Sequence, residues 1–120
     1  MVRSTSSSGS YVPKKGDIVW IDFDPQSGRE QAGRRPALVI SSTLYNRRVR
    51  LALVCPITTK VKGYTFEVPI PEGLAVSGVV LADQAKSFDW QTRRAEFICR
   101  MPDNLLMEVI AALERLLAEV

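Results

Sequence analysis

The sequence predicts a mainly β domain of the α+β class: a small, strongly curved antiparallel sheet or barrel followed by one C-terminal amphipathic helix. Two observations carry this. From Gly16 to Arg100 the chain runs as short β-type segments separated by turn residues, the pattern of small closed or nearly closed sheets. After Met101 the apolar spacing changes from strand-like to steps of three and four, which is the period of a helix face.

Taken in order, Gly16 to Asp24 is rich in β-branched and aromatic residues and alternates apolar with polar over its second half, so it predicts a strand. Pro25 to Gly33 holds Pro, Ser and two Gly without periodicity and reads as a functional loop. Pro36 to Ser41 is a continuous apolar run suited to a buried strand, with Pro36 at its first position. A turn is expected at Tyr45 to Arg48, then a strand over Val49 to Thr58 whose Pro56 suggests an edge or a bulge. Lys60 to Tyr64 is a basic turn, Thr65 to Ile70 a strand, Pro71 to Gly78 a loop, Val79 to Phe88 a strand and Arg94 to Arg100 the last strand. Leu105, Leu106, Val109, Ile110, Leu113, Leu116 and Leu117 lie opposite Glu108, Glu114, Arg115 and Glu119, giving a helix from Asp103 to about Ala118. Most of Trp20, Phe23, Phe66, Phe88 and Trp90 are expected in the core.

At 120 residues, 46% of them apolar, the chain suits one compact domain. That domain is placed at 11–120, after a flexible Ser-rich tail at 1–10 that has no apolar segment of a secretion signal. No apolar run approaches the roughly 18 residues of a membrane span, and the expected location is the cytoplasm. Cys55 and Cys99 are flanked by strand-type residues and are expected as free thiols. Histidine is absent, which removes the commonest general base and metal ligand. Net charge is +3, yet between residues 26 and 63 eight cations face the single acid Glu30, a local +7. Such a segment fits a polyanionic partner.

Within it, Arg35 precedes Pro36, and the proline biases Arg35 toward extended backbone. A guanidinium so aimed can donate two parallel hydrogen bonds to a phosphate and stabilise charge growing on nonbridging oxygens. Thr58 and Thr59 offer hydroxyl donors at the end of a strand. Lys60, Lys62 and Tyr64 combine cations with a ring on which a base can stack. Glu30 can serve as a general base, as a buttress for Arg35 or as an ordinary loop carboxylate. Arg34 and Arg29 are further cations beside it.

These residues stand in a recognisable order. Tyr11-Val12-Pro13, Gly16 through Pro25, Glu30-Gln31-Ala32-Gly33-Arg34-Arg35-Pro36-Ala37, Tyr45-Asn46, Pro56-Ile57-Thr58-Thr59, Lys62-Gly63-Tyr64 and Leu81 through Ser87 together resemble the MazF/PemK toxins. Those are the mRNA interferases of type II toxin-antitoxin systems. The resemblance covers the chain from Tyr11 onward. It implies an SH3-like antiparallel β-barrel of the MazF/CcdB type, a homodimer, and single-stranded mRNA cut at the dimer interface without metal or other cofactor to 2′,3′-cyclic phosphate and 5′-hydroxyl ends. It places the catalytic arginine on Arg35, the catalytic threonine on Thr58 and an assisting glutamate on Glu30. RNA contacts are expected from Arg29, Arg34, Thr59, Lys60, Lys62, Tyr64 and Lys86. A relative carries His where Arg34 stands, so a titrating role is not expected there. A cognate MazE-like antitoxin with an acidic tail is implied as partner. Two rivals remain on the same fold: a CcdB-like gyrase-binding toxin without enzymatic activity, and a noncatalytic RNA-binding module.

Overall fold

The computed structural model describes residues 11–23 and 33–119. The tail at 1–10 and the loop that carries Arg29 and Glu30 lie outside the described residues. The chain forms β1 (Asp17–Phe23), β2 (Gly33–Val39), α1 (Thr43–Val49), β3 (Leu51–Thr58), β4 (Glu67–Pro69), β5 (Val79–Leu81), a 3-10 turn (Ala82–Gln84), β6 (Lys86–Asp89), β7 (Glu96–Arg100) and α2 (Asp103–Leu117). All strand pairs are antiparallel. The path runs β4-β5-β3-β2-β1-β7, with β6 also on β3. β4 and β7 end that path, so the sheet curves without closing among the described residues.

β3 is central because it serves three neighbours. One side pairs with β2, Ala37 opposite Pro56 and Val39 opposite Val54. Along the other side β6 covers Leu51 to Val54 and β5 covers Ile57 and Thr58. Pro56 therefore lies inside the central strand and not at an edge as its residue type suggests. It sits where β3 passes from β6 to β5, a gap in which a missing N–H is tolerated. The same change of partner breaks the expected strand Val79 to Phe88 into β5, the 3-10 turn and β6.

The expected turn at Tyr45 to Arg48 is instead a two-turn helix. Ser42 caps it, its hydroxyl accepting the N–H of Tyr45 at 3.2 Å, and Arg50 ends it in the left-handed region at φ 66°. Seven residues are too few to show a helical period, but Ser at the N-cap is the local signal. Asn46 inside α1 is fully buried. Its amide donates to the carbonyls of Pro13 and Ser41, and its own carbonyl accepts Trp90 Nε1 at 3.0 Å. One polar residue thus ties the first residues of the domain to the β6–β7 turn.

Two apolar clusters flank the sheet, as strand alternation requires. Ile18, Leu38, Cys55, Ile57 and Val80 face Leu106, Val109 and Ala112 of α2. Val19, Ile21, Ala37, Val39, Ala52 and Val54 gather with Phe23 and Trp90 on the other side. Trp20 departs from the expected core placement and is 39% exposed. Both cysteines are free thiols, and burial pushes that of Cys55 up to about 12. Asp17 is buried, with its carboxylate fully used: it accepts from Tyr11 Oη at 2.7 Å, Lys14 N at 3.0 Å and Arg100 Nη1 at 2.9 Å. Burial and this neighbouring carboxylate hold the Tyr11 phenol protonated.

Leu106→Ala should destabilise the domain by about 2–5 kcal/mol in urea denaturation, because it opens a cavity beneath α2. Met107→Ala on the exposed side of the same helix should stay within about 0.5 kcal/mol of the parent.

Candidate active site

Arg34 and Arg35 lie on β2 and not in the preceding loop, because cross-strand pairing continues to the loop mouth. Ile21 pairs with Arg35, Asp22 with Arg34 and Phe23 with Gly33. Successive strand residues point to opposite faces, so the two guanidinium groups leave the sheet on opposite sides. Arg35 shares its face with Ala37 and Val39. The register of β2 on β3, continued two residues past its last pair, sets Arg35 across from Thr58. Residues opposite one another in a ladder have Cβ atoms about 5 Å apart, within reach of one phosphate for a long Arg and a short Thr.

Thr58 is held tightly. It is 6% exposed, its backbone pairs with Val79, and its Oγ1 accepts the N–H of Lys60 at 3.1 Å. That bond uses an acceptor site on the oxygen and leaves the hydroxyl hydrogen to donate. Gly78, at φ 111°, packs against this residue so closely that an added Cβ would lie 2.1 Å from the carbonyl oxygen of Thr58. A glycine is therefore built into the support of the threonine.

Thr59 and Lys60 are exposed immediately after β3, and Lys62 and Tyr64 extend the same turn. The ammonium of Lys62 lies 5.9 Å from the centre of the Tyr64 ring. Glu67 shapes the turn by accepting the N–H groups of Lys62 at 3.1 Å and Gly63 at 2.9 Å. Lys86 opens β6 opposite Val54, four residues along β3 from Thr58, or about 13 Å at strand rise. Arg35, Thr58 and the 59–64 turn thus converge on one end of β3, with Lys86 further along it.

Arg34 is engaged elsewhere. Its guanidinium donates to Asp22 Oδ1 at 3.1 Å, to the Arg94 carbonyl at 2.9 Å and to Glu96 Oε1 at 3.1 Å. Asp22 also accepts from Arg94 Nε at 2.7 Å and Nη2 at 3.2 Å. The hydrogen bond from Arg94, then that from Arg34, holds the Asp22 carboxyl below its usual range despite partial burial, and the Arg94 guanidinium is shifted up in return. A shallow groove of Tyr11, Trp90, Gln91, Arg94 and Ala95 borders this cluster. It contains neither Arg35 nor Thr58.

Residues 14–117 match the family model described as PemK-like, MazF-like toxin of type II toxin-antitoxin system. The chain belongs to this family. Among relatives of the PemK/MazF family, the endoribonuclease toxin MazF of Escherichia coli (strain K12) is 52% identical over 85 residues, covering 71% of this chain and 76% of that protein. The crystal structure of MazF (Form-I) from Deinococcus radiodurans superposes with a TM-score of 0.86 at 52% identity, covering 90% of this chain and 98% of that one. MazE-MazF (Form-II) from the same organism gives 0.82 at 52% identity, over 90% and 97%. These matches place the curved sheet and C-terminal helix within the PemK/MazF fold.

Asp22, Glu67 and Gly78 carry the supporting geometry, and the sequence did not single them out for it. A signal existed for Gly78, a glycine immediately before a β-rich run. None existed for Asp22, whose partners Arg34 and Arg94 lie 12 and 72 positions away in the chain.

Two outcomes follow from these contacts. Gly78→Ala should displace Thr58 and reduce both the urea midpoint and RNA cleavage, because the clash is with backbone and the residue needs a positive φ. The depressed carboxyl of Asp22 contributes stability that is present above the unfolded-state value and lost as pH falls through the folded one. Asp22→Asn should therefore be less stable than the parent at pH 7, with the gap closing below about pH 4, as read by denaturation at pH 7 and pH 3.

Proposed function

We propose that this member of the PemK/MazF family is a sequence-specific endoribonuclease toxin that cleaves single-stranded mRNA without a metal ion and so inhibits translation. What supports this chemistry is the β2–β3 register, with Ala37 opposite Pro56, which continued two residues further sets Arg35 across from Thr58. In the reaction, the ribose 2′-oxygen attacks the adjacent phosphorus, the new P–O bond closes a 2′,3′-cyclic phosphate, and the bond to the 5′-oxygen breaks. The 2′-hydroxyl proton passes to Glu30 or solvent, and the leaving 5′-oxygen takes up a proton. Arg35 and Thr58 hold the nonbridging oxygens, where negative charge increases as the phosphorus becomes five-coordinate. Arg35 is unsuited to act as the base, since an arginine above about 12 is almost never neutral at pH 7. DNA is spared because it lacks the attacking hydroxyl.

The described cations and ring beyond β3, Lys60, Lys62 and Tyr64, support a single-strand track. Arg29, Thr59 and Lys86 extend it, and the base sequence is read by the loops around Arg29, Lys60–Tyr64 and Ser87–Arg93. The active form is a cytoplasmic homodimer, and exposed apolar side chains on α1 (Leu44, Tyr45) and on the β1–β7 edge (Trp20, Phe97) give a second copy surface to bury. A cognate MazE-like antitoxin with an acidic tail covers the RNA track, whose charge it complements. The domain spans 11–120.

The test is purified protein with single-stranded RNA in EDTA, followed by analysis of fragment ends. Cyclic phosphate and 5′-hydroxyl ends are expected. Intact RNA across several sequences would return the reading to a protein-binding toxin or an RNA-binding module, and cleavage abolished by chelation would reject the metal-free step. Arg35→Ala should lose about 10²–10³ in rate, the usual effect of removing one preorganised oxyanion donor. Thr58→Val should fall in the same direction while keeping its strand pairing.

A further inference from the structure

We propose that Asp22 is a positioning residue for RNA cleavage, acting through Arg34 to fix the pleat of β2 and hence the direction of Arg35. The inference rests on the reading of Arg35 as the phosphate-holding residue, and it gives Arg34 a different task from the RNA contact expected of it.

Arg34 and Arg35 are adjacent on a strand, so anchoring one on its face fixes the other on the opposite face. The anchor holds a half-buried arginine from three directions. Three acceptors from β1, the Arg94 carbonyl and β7 take up its guanidinium, and Asp22 links that set by binding Arg94 as well. Asp22 and Arg34 are also directly paired across β1 and β2, one residue from the mouth of the loop at Phe23 and Gly33. Strand ends fray at such a mouth unless something pins them, and here the pin is ionic.

Stability alone does not account for the arrangement. Two of the three ion pairs include a side chain at least two-thirds exposed, Glu96 at 71% and Arg94 at 67%, and such pairs contribute little to folding; the Asp22–Arg34 pair, at 31% and 28%, is the more sheltered one. Arg94 meanwhile occupies the left-handed region at φ 57°, a conformation that costs a non-glycine residue about 1 kcal/mol or more. A cost in backbone strain and a small gain in stability leave geometry as the function. Geometry matters at this point because a displacement of about 1 Å at a reacting centre can cost about 100-fold in rate.

Arg34 as a direct phosphate contact makes opposite predictions. Removing such a contact weakens binding and lowers the salt slope by about one. Under that reading Asp22→Asn would release a cation and tighten RNA.

The experiment measures kcat and KM on a cleavable oligonucleotide, and salt-dependent binding to the same oligonucleotide with a 2′-deoxy residue at the cut site, for the parent, Asp22→Asn, Arg34→Lys, the double variant and Arg35→Ala. Positioning predicts that Asp22→Asn and Arg34→Lys each lose about 10- to 100-fold in kcat, with KM and salt slope near parental values. It also predicts that the double variant is no slower than the slower single one, as expected for residues acting as one unit. Arg34→Lys keeps the charge and loses the fork, so it separates geometry from electrostatics and remains informative if Asp22→Asn fails to fold. Parental kcat in Arg34→Lys, or tighter RNA binding in Asp22→Asn, overturns the proposal. Parental cleavage by Arg35→Ala would instead reject the reading on which it rests.

Discussion

The structure depends on one constraint: β3 must satisfy three neighbours along eight residues. β2 holds one side, while β6 and then β5 share the other, and the handover falls at Pro56. This bends the sheet at the point where Thr58 emerges. Bending brings the 71–78 loop onto the strand end, and only a glycine at position 78 allows that approach. The threonine is thus fixed by main-chain packing on one side and a turn hydrogen bond from Lys60 on the other, which leaves its hydroxyl little freedom of position.

Electrostatically, the molecule divides its arginines between two kinds of work. The basic excess between residues 26 and 63 suggests one continuous cationic surface, but Arg34 is balanced by Asp22 and Glu96. Arg50 lies over the Trp90 ring and its guanidinium bonds Gln91. These side chains hold strands and turns together. By chain position, Arg35 on β2 and Lys60 and Lys62 beyond β3 form a shorter set at one end of β3. A smaller cluster of that sort discriminates better than a uniform coat of charge, because only a strand in register with it meets every cation.

Much of this was legible in the sequence, and the reasons differ by element. β1 and α2 carry long, consistent periods, so their bounds fall within a residue or two of expectation. Arg35 and Thr58 were singled out as phosphate-holding candidates through short motifs and the family resemblance, and the β2–β3 register, continued past Ala37–Pro56, sets them across from each other. Three features escaped. α1 is too short to display a period and reveals itself only through Ser42. Pro56 misled because its type signals an edge while its position is a gap between partners. The Asp22 cluster joins residues far apart in the chain, and nothing local to Asp22 announces Arg94 or Glu96. Side-chain chemistry was readable where it is local, and hidden where it depends on which strands become neighbours.

The pair Phe23–Gly33 has a further consequence for how such a protein can diversify. It closes the segment 24–32 at its base, so the ends of that segment stay one strand spacing apart whatever lies between them. Lengthening a loop whose ends are already fixed is inexpensive, with each doubling adding only about 0.6 kcal/mol of closure entropy. Changes of length or sequence within 24–32 therefore leave the place of β2, and of the arginine two residues beyond Gly33, to that single rung of the ladder.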